Sequence, residues 1–247
     1  MKKLLAAVAL LAFVAPLPAA VQVPPPAITP VTPEHQQLAA TLVRTLNSEE
    51  LTRAQIAKML NDTLPKTLAA NPTFAAAERQ HPGITSDFLA AMGGVIAEGT
   101  ITRLPALWAR LEPIFSQSFT TAELRTLVDF YTSPTGARLI KTMGEGADYS
   151  QMLGNMVSDG NHKVTTEDLR AGIQSGAAVV IRTATPEDMK TMQALAATSA
   201  GKKLLVVNQQ AQAEAAAWGN EADPQLNAQV TKAVQGVFAK YSGKPAQ

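Results

Sequence analysis

Residues 119–143 read "FTTAELRTLVDFYTSPTGARLIKTM", and no other stretch restricts the fold as much. Thr120 followed three residues later by Glu123 is a capping box. Its hydroxyl and carboxylate each satisfy a backbone N–H that the first helical turn leaves without a partner. Phe119 before the cap and Leu124 after it form the hydrophobic staple. Leu124, Leu127, Val128 and Tyr131 then share one helical face. Ser133-Pro134 ends that helix, because proline disfavours the α conformation of the residue before it. The same pair opens the next one, since serine is a good N-cap and proline suits the first helical position. Leu139, Ile140 and Met143 continue an apolar face. Gly136, in the first turn of the second helix, points to a close approach. The stretch therefore predicts a corner between two packed helices.

A helical period runs from Glu34 onward. Strand signals are almost absent, and "AVVIRT" (178–183) and "LLVVN" (204–208) both lie within helical patterns. The expected fold is all-α, a multi-helix array with two tandem three-helix units related by a 65-residue offset. At that offset "ATPEDMKTMQALAATSAGKKLL" (184–205) overlies 119–140 without a gap. Thr120 meets Thr185, Glu123 meets Asp188, Leu124 meets Met189, and Gly136 meets Gly201. Upstream, Leu104 falls on Leu169 and Trp108 on Ile173. The units span 101–146 and 166–211. N-terminal helices are expected within 34–100, at 34–46, 48–60 and near 85–98. Between 61 and 84, Pro65, Pro72 and Pro82 predict a loop with at most one short helix. A last helix over 223–241 starts at the cap Asp223-Pro224.

The chain opens "MKKLLAAVALLAFVAPLPAA", two lysines before an apolar run and then small residues. This is the plan of a secretory signal peptide over residues 1–20. The run is shorter than the ~20 apolar residues a spanning helix needs. Residues 21–33 hold five prolines and read as an extended linker. A periplasmic or secreted protein is expected, with no membrane anchor after signal cleavage. There is no cysteine, so such a chain must be stabilised by burial rather than by disulfides. Loss of Lys2 and Lys3 takes Lys+Arg from 21 to 19 against 20 acids. No basic block stands out, which speaks against nucleic acid and anionic membrane surfaces as partners.

Taken together, the segment "SFTTAELRTLVDFYTSPTGARLIKTM" resembles the bacterial domain-of-unknown-function 2059 family. The resemblance is carried by Glu123-Leu124, Phe130-Tyr131, Ser133-Pro134, Gly136 and Arg138-Leu139. It covers about 101–146, and in the second unit Ala196 and Ser199 stand where the tyrosine and proline do in the first. It implies an exported, all-helical protein and supplies no reaction, ligand or catalytic residue.

Chemistry is hard to find in the sequence. His35, His81 and His162 are far apart, and no metal-ligand spacing occurs, so no metal or cofactor is expected. Ser199 and Lys202 match S-x-x-K but lack the S-D-N and K-T-G companions of the penicillin-binding enzymes. Glu123 and Asp188 are already used as caps. No catalytic residue is assigned. Trp108, Phe130 and Tyr131 are the candidates for lining a ligand groove, although such an aromatic pair usually packs one ring in the core with a phenol tip reaching water. The expected function is a non-enzymatic binding or protein-interaction module of the cell envelope, its partner a protein or a small apolar ligand. The alternatives are an envelope hydrolase with dispersed acids and histidines, or a homo-oligomeric structural protein.

Overall fold

A computed structural model describes residues 32–242. The leader 1–20, and the proline-rich stretch up to residue 31, lie outside the described residues. The described residues contain helices and no strand. In order these are α1 (Pro33–Leu46), α2 (Glu49–Lys58), a π-helical turn (Met59–Thr63), α3 (Leu64–Ala70), α4 (Pro72–Gln80) and α5 (Ile84–Ser118). There follow α6 (Thr121–Thr132), α7 (Pro134–Gly146), α8 (Ser150–Ser158), α9 (Thr166–Thr183), α10 (Pro186–Ala197), α11 (Ser199–Gly219) and α12 (Pro224–Tyr241).

Three expectations need correction. The loop predicted for 61–84 is almost entirely helical. Pro72 is the first residue of α4, where a missing N–H does no harm, so it starts that helix, and Pro65 is the second residue of α3, directly after the π-helical turn, so the chain stays helical through it. The helix near 85–98 does not end before 101: α5 is one helix of 35 residues, about 50 Å long. It carries Pro105 and Pro113 in its interior. Both face solvent, where water can satisfy the carbonyls whose N–H partners are gone. Finally, α8 lies between the two expected units, and α11 continues past 211 to Gly219.

Helix α5 is the axis of the molecule, with α1, α2, α11 and α12 packed along it, while α7 packs against α9. One contiguous apolar core results, with Leu42, Leu104, Phe115, Leu127, Met143 and Trp218 among its buried members. The α7–α9 contact is close because glycine faces it. A Cβ on Gly146 would lie 2.7 Å from Val179 Cβ, and one on Gly176 2.8 Å from Met143 Cγ.

The corner between α6 and α7 forms as its residues dictate. The Thr120 hydroxyl accepts from the Glu123 N–H at 3.2 Å and the Glu123 carboxylate from the Thr120 N–H at 2.8 Å. Ser133 Oγ accepts from the Gly136 N–H (3.1 Å) and donates to the Phe130 carbonyl (2.6 Å). A Cβ on Gly136 would collide with that carbonyl and lie 2.8 Å from Tyr131 Cα. Only glycine fits there. The corner between α10 and α11 has the same construction. Thr185 and Asp188 form the capping box, and Thr198 Oγ1 accepts from the Gly201 N–H (3.0 Å) and donates to the Leu195 carbonyl (2.6 Å). A Cβ on Gly201 would collide with that carbonyl and lie 2.9 Å from Ala196 Cα.

Candidate binding groove

The two corners meet through their caps. Arg138, on α7, pairs with Asp188, the cap acid of α10. Lys203, on α11, pairs with Glu123, the cap acid of α6, at 2.8 Å. Ser199 Oγ also donates to Glu123, at 2.5 Å. The pairing is reciprocal: each corner lends a cation from its second helix to the acid that caps the other's first.

These contacts set the charge of both acids. Burial pushes the Glu123 carboxyl up, but hydrogen bonds from Lys203, Ser199 and the Thr120 N–H outweigh it and leave the group below its ordinary value. Asp188 is also held down, first by hydrogen bonds from Thr185 and then, against desolvation, by Arg138. Ser199 has an ionised carboxylate as its partner and sits at the start of α11. Its match to S-x-x-K therefore has a structural account.

Behind this junction α9 and α11 diverge around an open groove of about 560 Å³, within the range of ligand-binding clefts. Its α9 wall carries Ile173, Ala177, Ala178 and Ile181, spaced to share one helical face. Leu205 continues the apolar lining from α11, with Asn208, Gln209 and Gln212 beside it. The space exists because Ala177 and Ala178 are small. Ile181 is 49% exposed at the mouth, one of few large apolar side chains on the described surface left in water. Arg170 lines the groove and pairs with Glu167 of its own helix; Arg182 and Lys202, both exposed, lie next to Ile181 and one turn before Leu205 in sequence. No acid lines the groove.

None of the aromatic candidates lines this groove. The Trp108 indole N–H donates to the Asn47 carbonyl at 2.9 Å, with Arg44 lying over its ring at 5.6 Å. Phe130 and Tyr131 meet edge to face at 4.9 Å. Tyr131 is wholly buried, contrary to the expected wet phenol tip; its hydroxyl has no hydrogen-bond partner, and burial pushes its pKa up. It is packed at the corner, where the spacing of the apolar face put it. The groove itself had a faint sequence signal, a pair of alanines on the apolar face of α9. Trp218, buried under the Arg103 guanidinium at 4.7 Å, had none.

The histidines do not converge. His35 is completely buried, and its ring nitrogens lie 3.0 Å from Thr121 Oγ1 and 2.8 Å from the Ser116 carbonyl. His81 packs against Tyr241. His162 lies 3.2 Å from Asp168, but that carboxylate also accepts from the Thr165 N–H and hydroxyl as the cap of α9. Among the described residues no group of three or more histidines and acids is placed to hold a metal ion, and no helix is long and apolar enough to cross a membrane.

Fold and groove together define a class: an all-helical protein with an open, largely apolar cleft. Residues 106–156, from the second half of α5 through most of α8, match the bacterial family described as "Uncharacterized protein conserved in bacteria (DUF2059)". The matched segment contains Glu123-Leu124, Phe130-Tyr131, Ser133-Pro134 and Gly136, the residues that carry the resemblance in the sequence. It stops short of α9, so the groove lies outside it. No curated protein and no solved structure matches the chain.

Proposed function

We propose that this chain is a non-enzymatic binding or protein-interaction module of the cell envelope, exported by its leader and working in the periplasm or after secretion. It is built from two copies of a three-helix unit, 101–146 and 166–211, and binds through the groove between α9 and α11. The open apolar groove carries the binding reading, because burying exposed apolar surface is the force such a cleft offers to a partner. The duplication is supported by the two corners, whose caps, carbonyl contacts and glycines coincide at the 65-residue offset. It is also supported by the packing, since the third helix of each unit lies against the first helix of the other.

An environment-sensitive apolar dye such as N-phenyl-1-naphthylamine tests the binding reading. The purified protein should bind it saturably, and Ala178→Trp, at an exposed position of the groove wall, should abolish that binding without lowering the melting temperature. Absent binding, or equal binding by both proteins, would contradict the assignment.

A further inference from the structure

We infer that the groove between α9 and α11 receives an acidic amphipathic α-helix from a partner protein. This rests on the binding reading above and specifies the occupant. Moving back by 65 residues takes Ile173, Ala177, Ile181 and Gln212 of the groove onto positions that α1 and α2 already cover, and Arg170 and Ala178 onto Pro105 and Pro113, which face solvent. Ile181 falls on Ser116, whose carbonyl lies 2.8 Å from His35 Nε2. Ala177 falls on Glu112, which pairs with Arg44 at 3.4 Å. Ile173 falls on Trp108, bonded to the Asn47 carbonyl. Gln212 falls on Ala147, whose carbonyl accepts from Lys58 Nζ at 2.9 Å. In that half of the molecule α2 packs on both α5 and α7 while α1 packs on α5 and α6, and they bury Leu42, Leu46 and Ile56 there. The cleft around α9 and α11 has the same walls and stands open. The shape it is built to accept is therefore a helix with an aliphatic stripe.

Charge specifies the helix further. In the covered half, Arg125 pairs with Glu34 of α1. Its counterpart on α10 is Lys190. Lys190, Arg182 and Lys202 form no ion pair among the described residues, and Arg170 pairs only with Glu167 of its own helix. A helix lying where α1 lies would bring an acid at the position of Glu34 beside Lys190. An acidic flank is attracted and a basic one repelled.

Two synthetic helices with the same leucine stripe, one flanked by glutamates and the other by lysines, separate the possibilities when titrated into the purified protein at low salt. The glutamate helix should bind saturably, at least about tenfold tighter than the lysine helix. Ala178→Trp and Ile181→Glu should each weaken it by about tenfold or more. Ile181 is half in water, so its variant keeps the fold, which circular dichroism checks. Equal binding of both helices, or binding unchanged in both variants, overturns the proposal. If neither helix binds but the naphthylamine dye does, and Ala178→Trp expels it, the helical occupant is wrong while the groove reading stands. A dimer in sedimentation that Ile181→Glu dissociates makes the occupant a second copy and likewise overturns it. If neither the helices nor the dye bind, both readings fail.

Discussion

At the scale of single residues, Gly136 and Gly201 do the same work at two corners. Each lies where a carbonyl of the preceding helix, from Phe130 or Leu195, occupies the space a Cβ would need. That obstacle is backbone, which cannot rotate away as a side chain can. Gly136→Ala and Gly201→Ala should each destabilise the protein by about 1–3 kcal/mol, the usual range for overpacking. Gly236, exposed within α12 with nothing near its missing Cβ, is the opposite case. Gly236→Ala should stabilise by ~0.5–1 kcal/mol through helix propensity alone. Urea denaturation of the three variants checks the contrast, and equal effects at all three sites would refute the close-approach account. Gly136 was readable as a close-approach position because a glycine in a first helical turn needs a reason. Its partner atom was not, since only the folded corner brings the Phe130 carbonyl across.

At the scale of elements, local signals were legible and long-range ones were not. The caps at Thr120, Thr185 and Asp223 read correctly because a cap is satisfied within four residues of itself. The continuity of α5 did not read, because Pro105 and Pro113 argue locally against it. What overrides them is tertiary packing on several sides, which leaves both prolines in water. Nor did the sequence reveal that Glu123 and Asp188, beyond capping their own helices, pair with Lys203 and Arg138 from the opposite corners. That second use has a pH signature. Both carboxyls are held below their ordinary values in the folded protein. Their stabilisation is therefore fully present above the carboxylate pKa of the unfolded chain, about 4, and is lost as pH falls through the lower folded values. Stability followed by denaturation should decline on acidification below about pH 4. Glu123→Gln combined with Asp188→Asn should flatten that decline. An unchanged acid slope in the double variant would show that these pairs do not report on the junction.

At the scale of the whole molecule, the account rests on exchange. Helix α7 lies against α9 and α11 against α5, so each three-helix segment packs its third helix on the first helix of the other, while α11 also touches its own α9. The arrangement resembles an isologous interface, in which residue i of one body meets j of the other and j meets i, here within a single chain. The groove follows from it: α1 and α2 cover one half, and the other half remains uncovered. Because the chain has no cysteine, introduced thiol pairs report on single contacts. The most direct test is to build Arg138→Cys with Asp188→Cys, and separately Glu123→Cys with Lys203→Cys, and to treat each purified protein with a short bismaleimide. Reciprocal packing predicts that both pairs close within one chain. Closure of neither pair, of only one, or only between two chains would contradict it.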